Sequence, residues 1–277
     1  MLKQILLGLD DTPASIRAKE VALSLAKTHK AGVTGLAVID EARIAPPEPI
    51  PMGGDSYKQH KDKTLVARAR DRLVELTQRF AHECHAQQVN ADTMVTESDA
   101  TAAIVAASDI HDLIVMGRDA TFHTEPHGRV SHIIEQLLRQ NPRPLVVVPE
   151  GKETTGRVLV AYDGSVPAMR ALQMFCLLGI AGKSEVTVAS IHAQRPTAEE
   201  LGRRAVQYLS THAIGAQARV VETDAEPAIA LIELASELDA RFIVMGAYGR
   251  RGWREYILGS TTDKLLGASR SPIFIHH

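Results

Sequence analysis

The chain repeats itself, and no other feature limits its possible folds as strongly. "KQILLGLDDTPASIRAKEVALSLA" (3–26) resembles "GRVLVAYDGSVPAMRALQMFCLLG" (156–179). In each copy an aliphatic run ends at an aspartate, Asp10 or Asp163, and a small polar turn leads into a helical pattern. "VTGLAVID" (33–40) matches "VTVASIHA" (186–193) at the same separation as the two aspartates. Two later pairs, "DLIVMGRDA" (112–120) with "RFIVMGAYG" (241–249) and "RPLVVVP" (143–149) with "SPIFIHH" (271–277), lie closer together. The first half therefore carries extra residues between its second and fourth strands. Proline-rich "ARIAPPEPIPMGGDSYKQ" (42–59) is the evident place, and proline's fixed φ and missing donor make a surface loop the expectation. Two homologous domains follow, 1–150 and 151–277, joined by polar "EGKETTG" (150–156). At 277 residues in all, each half is long enough to bury its own core.

Within each repeat, short apolar runs alternate with helical periodicity. In the second half the runs place strands near 157–162, 185–191, 217–223, 241–245 and 272–276, with helices over 166–180, 197–213, 226–238 and 260–269. Runs such as "FIVM" and "LVVV" lack polar alternation, as strands buried on both faces of a parallel sheet do. The fold class is α/β, an open doubly wound sheet. Ligands of such sheets sit at the carboxyl ends of the strands, where strand order reverses. Asp163 and Gly246 both end strands at that edge.

The stretch "GAYGRRGWREYILGST" (246–261) lies between a strand and a helix. Glycine after a strand lets a ligand approach the backbone, and Gly259-Ser260 stand where a helix begins. Free amides and the positive end of the helix dipole suit that position to phosphate, with hydroxyls available from Ser260, Thr261 and Thr262. Ser260 serves equally well as a plain N-cap. The Walker A pattern is missing, and the turn after the first strand, "YDGSVPA" (162–168), lacks the dinucleotide glycines. Spacing alone leaves a phosphate cradle and a glycine-rich turn both open. Asp163 likewise serves as a ligand contact or as the residue of an Asx-turn. Arg250, Arg251 and Arg254 either neutralise phosphate or form a solvated loop.

The repeat, the strand-ending aspartate and Gly-x2-Gly-x9-Gly-Ser together resemble the universal stress protein family in its tandem-domain form, over nearly the whole chain except 42–59. The resemblance implies two Rossmann-like (adenine nucleotide alpha hydrolase-like) domains, each a five-stranded parallel sheet of order 3-2-1-4-5 flanked by helices. It implies ATP, alone or with Mg²⁺, bound where the glycine motif is intact. Asp163 would then lie by adenine and ribose, the backbone of Ile191 would meet adenine, and Gly246, Gly249, Gly259, Ser260 and Thr261 would hold ribose and phosphates. It further implies that the domains pair through "PLVVV" and "PIFI", a homodimer-like arrangement within one chain, with further self-association open. The first domain departs from the motif. Gly117 matches the first glycine, but Ala120 replaces the second. Counting from Gly117 puts Val130-Ser131 at the Gly-Ser position, counting back from the next helix puts Ser131-His132 there, and Gly128 is displaced from both. The expectation is one adenine nucleotide per chain, in the C-terminal half.

Other classes are weighed on the remaining residues. A formal net charge of −2 gives no global attraction to nucleic acid or an anionic membrane. "MLKQILLGLDD" lacks a signal-peptide pattern, and no apolar run reaches the roughly 20 residues of a bilayer span, so a soluble cytoplasmic protein is expected. Cys84 and Cys176 fall in opposite halves and read as packed thiols. His82 with His85, or His123, His127 and His132, could hold a transition metal; neither set is complete at a diagnostic spacing, and surface histidines are the simpler reading. The leading function is an ATP-binding regulatory protein of the stress response with an unknown protein partner. Alternatives are a slow ATPase or autokinase using Ser260 or a nearby threonine, a scaffold indifferent to nucleotide, and metal or small-ligand sensing by the first domain.

Overall fold

In the computed structural model, residues 1–49, 55–122, 130–247 and 259–277 are described. The first half contains β1 (Gln4–Gly8), α1 (Pro13–His29), β2 (Gly32–Ile39), a single turn α2 (Glu41–Ile44), α3 (Asp55–Ala86), β3 (Ala91–Glu97), α4 (Ala100–Ala107), β4 (Leu113–Gly117), α5 (His132–Gln140) and β5 (Leu145–Val148). The second contains β6 (Val158–Ala161), α6 (Val166–Leu178), β7 (Val186–His192), α7 (Arg195–Thr211), β8 (Ala216–Glu222), α8 (Pro227–Glu237), β9 (Phe242–Gly246), α9 (Ser260–Ala268) and β10 (Ile273–His276).

Local chemistry explains these boundaries. Thr12 and Ser165 cap α1 and α6 by accepting the N–H of Ser15 and Ala168, and a proline opens each helix. Gly179 ends α6 at φ 74°, a left-handed C-cap that suits glycine. Elements of the second half fall within two residues of their sequence-based bounds; α7 starts early because Pro196 is accommodated in its first turn.

Among the described residues the strands form one sheet of order β3-β2-β1-β4-β5-β10-β9-β6-β7-β8. Each half is parallel with the order 3-2-1-4-5, and the halves meet at an antiparallel step that pairs Val147 with Ile273 and Leu145 with Ile275. The last strands thus join the domains within one chain, and the two carboxyl edges face opposite ways. Successive side chains on the central strands enter different cores. Ile5, Leu7, Leu113 and Val115 pack on the α1 and α6 side, whereas Leu6, Ile114 and Met116 pack on the α5 and α9 side. Within the second half, Phe175 of α6 meets Phe274 of β10 edge-on at 5.9 Å.

The proline-rich segment requires one correction. A surface loop was expected over 42–59, but helix occupies its start and its end: α2 is capped by Asp40, and α3 begins at Asp55. No proline follows Pro51 here, and "DSYKQHKDK" consists largely of residues that a helix tolerates, with Lys58 and Asp62 paired at 2.8 Å across one turn. Much of the extra chain lengthens α3, 32 residues against 17 in its counterpart α7. Residues 50–54 lie outside the described set. No helix among the described residues is long and apolar enough to cross a membrane.

Candidate functional site

At the carboxyl edge of the second half, β6 ends at Ala161 and Asp163 follows two residues later. The Asp163 Oδ1 accepts the Ser165 N–H at 2.9 Å, closing an Asx-turn across Gly164, whose φ is 74°. Ile191 lies half-buried near the end of β7, in register with Val221 of β8. β9 ends at Gly246, and α9 starts at Ser260 with Gly259 as its N-cap. Asp163, Ile191, Gly246, Gly259, Ser260 and Thr261 are therefore set along the ends of β6, β7 and β9, around the point where strand order reverses. Gly249, Arg250, Arg251 and Arg254 lie outside the described residues.

The glycines do different work. A Cβ on Gly246 would stand 2.4 Å from both Ala168 N and Pro167 C, so the first turn of α6 rests directly on this strand end. Gly117 has the same relation to α1, with Ser15 N at 2.4 Å. Helix packing alone accounts for a glycine at that point in both halves. Gly259 differs. Its φ of −59° is ordinary, and among the described residues the nearest atom to a Cβ built there is Thr262 Oγ1 at 3.9 Å. Nothing among the described residues forbids a side chain there. No side chain caps α9 either, and its first intrahelical bond runs from Asp263 N to Gly259 O at 3.0 Å. Among the described residues, then, no group fills the amides of residues 260–262 at this helix end. Ser260 is exposed, Thr261 half-buried and Thr262 buried.

The first half closes the equivalent edge with its own atoms. Ser131 caps α5 by accepting the Ile133 N–H at 3.3 Å, which aligns Ser131-His132, not Val130-Ser131, with Gly259-Ser260. Asp10 accepts three backbone N–H groups: Asp11 at 2.8 Å, Thr121 at 2.9 Å and Phe122 at 3.0 Å. Burial pushes its carboxyl above the usual range, with those three amides opposing. Phe122 takes φ 56°, a left-handed conformation rare for an aromatic residue, and is only 4% exposed. Its ring packs on the end of β1, where a Cβ on Gly8 would come within 3.0 Å of Phe122 Cζ. From α2, Arg43 pairs with Asp40 at 3.2 Å and lies 3.3 Å from both ring nitrogens of His132, at the start of α5. The sequence reading overlooked Phe122 and Arg43. A lone aromatic in a polar loop and an arginine before a proline-rich stretch carry no local signal of where they fold.

The remaining candidates sort plainly. His82 and His85 are exposed on α3, and His123 and His127 lie outside the described residues. Cys84 and Cys176 are buried with their thiols pushed up to about 11, so they stay protonated at neutral pH.

A model of the universal stress protein family matches residues 1–149 and 154–277. A universal stress protein of Synechocystis is 27% identical over 165 residues, 58% of this chain and 56% of the relative, so that match spans about half the relative's length. A universal stress protein of Mycobacterium tuberculosis is 22% identical over 98% of this chain and 95% of its own. Among solved structures, a universal stress protein from Archaeoglobus fulgidus superposes with a TM-score of 0.72 over 99% of this chain and 97% of its own; at 20% identity it speaks to the fold.

Proposed function

The chain belongs to the universal stress protein family, and from that premise we propose that it is a regulatory stress-response protein binding one ATP, in its C-terminal half. One observation carries this reading: among the described residues Gly259 has no close neighbour at its Cβ position and no side chain caps α9, whereas its counterpart Ser131 caps α5. A phosphate group fits an uncapped helix N-terminus because amides and dipole both favour an anion, and a glycine without a packing role leaves room for close approach. In this arrangement the amides of 260–262 and the hydroxyls of Ser260 and Thr261 hold phosphate, Asp163 meets the ribose, and the Ile191 backbone meets adenine. Gly246 acts indirectly, by letting α6 seat against β9. Gly249 and any accompanying Mg²⁺ belong to the phosphate side of the same reading. The N-terminal half binds no nucleotide, since Phe122, the Asp10 turn and the Arg43–His132 contact occupy the equivalent space.

The test has two parts. Mass spectrometry of the small molecules released on denaturing the purified protein should find an adenine nucleotide. Calorimetric titration of nucleotide-stripped protein should give one ATP per chain. Two tight sites, or none, would defeat the proposal.

A further inference from the structure

The first half contributes to the second half's edge even though its own edge is filled. Arg118 follows β4 directly and reaches across the seam. Its Nη1 donates to three carbonyls at the end of α9, Leu266 O at 3.2 Å, Gly267 O at 3.3 Å and Ser269 O at 3.1 Å. The last carbonyls of a helix lack intrahelical donors and carry the negative end of its dipole, so a guanidinium satisfies both needs.

α9 has few other supports. It is nine residues long, far below the length at which a helix persists alone in water. Among the described residues it starts without a side-chain cap, and Gly267 sits in its last turn with no neighbour within 4 Å of its Cβ position, a helix-weakening residue without packing in return. Its further described tethers are the buried Thr262, Leu265 and Leu266 and the Lys264–Glu226 ion pair. Arg118, by contrast, is firmly mounted. Its N–H donates to Val148 O and its carbonyl accepts from Ser131 N, each at 2.8 Å. Beside it, Asp119 accepts the Thr12 hydroxyl at 2.6 Å, and Asp10 holds Thr121 and Phe122. The residue at the matching position in the second half is Ala247, which has no side-chain donor to offer α5. The support runs one way, from the filled half to the half with the open helix end.

We propose that Arg118 is a positioning residue for the C-terminal nucleotide site, an inference that rests on the nucleotide reading above. By holding the carboxyl end of α9 it fixes where the amides of residues 260–262 stand. It acts through α9 and not on the ligand. Since α9 offers only the phosphate-holding end of the site, Arg118 bears on the phosphates and leaves the base and ribose contacts alone.

The experiment compares the full chain with Arg118→Ala and Arg118→Lys, titrating ATP and adenosine and following amide hydrogen exchange over the hydrogen-bonded residues 263–268. Arg118→Ala should weaken ATP roughly three- to tenfold, leave adenosine within about twofold, and speed exchange by a similar factor. Lysine keeps the charge and should restore part of each effect. Unchanged ATP affinity overturns the inference, and so does an equal loss for ATP and adenosine, which would mark general damage to the domain. A wild-type protein that binds no ATP defeats the nucleotide reading instead. In that case unchanged exchange in Arg118→Ala would overturn the hold on α9 as well, and faster exchange would uphold it.

Discussion

Replacing Gly259 by alanine should separate nucleotide binding from stability. Among the described residues the new methyl group meets no atom closer than Thr262 Oγ1 at 3.9 Å, and φ −59° with ψ 141° is backbone that alanine adopts freely. Glycine to alanine at an N-cap costs about 0.5 kcal/mol, and the stiffer unfolded chain returns about the same. The melting midpoint should hardly move. Binding should suffer, because the methyl occupies the space through which phosphate oxygens reach the amides. Losing one charge-assisted hydrogen bond costs about 1.5–3 kcal/mol, roughly a ten- to hundredfold rise in Kd. Gly246→Ala supplies the contrast. Its methyl would stand 2.4 Å from Ala168 N and Pro167 C, both backbone atoms, so helix or strand must shift at about 1–3 kcal/mol or more. Gly117→Ala, against Ser15 N at 2.4 Å, should destabilise the first half comparably. Urea melts and ATP calorimetry on the three variants check the set. Wild-type ATP affinity in Gly259→Ala would refute the reasoning, as would a Gly259→Ala stability loss equal to that of Gly246→Ala.

Two further outcomes follow from buried groups. Asp10→Ala strands the amides of Asp11, Thr121 and Phe122 and leaves Phe122 without the contact that holds its left-handed backbone, so urea unfolding should show a loss of about 2–4 kcal/mol, most of which Asp10→Asn retains through its amide oxygen. His276 is pushed down to about 4 by burial, and its Nδ1 has no hydrogen-bond partner among the described residues. The unfolded chain, with an imidazole near 6.5, then binds the proton that the fold refuses, so stability is full above about 6.5 and falls as pH drops toward 4. Allowing for the water that still reaches the ring, the loss is about 1–2 kcal/mol, and melts of His276→Leu should lack that part of the slope between pH 6.5 and 4.

Much of the fold was legible because its determinants are short-range. Period-two and period-3.6 patterning, capping residues such as Thr12 and Ser165, and the helix-ending Gly179 act within a few residues of where they stand. The segment 42–59 was misjudged because its prolines stop at Pro51, and the helix-compatible run after them was read together with them. The candidate site was legible only as a set of strand-end residues. That Gly246 and Gly117 answer to helix packing while Gly259 answers to no close neighbour among the described residues required the positions of α1, α6 and α9.

From the sequence alone, then, come the repeat, the strand and helix periods, the order of the sheet that the family resemblance implied, and the defect of the first half's glycine motif. Each is a property of residues read in a line. Tertiary structure decided the rest: Ser131 and not Val130 opposite Gly259, Phe122 folded under Asp10, and Arg118 laid on the end of α9. Those contacts join residues up to 151 positions apart. Which of them form depends on which edges the topology brings together, and no local propensity carries that information.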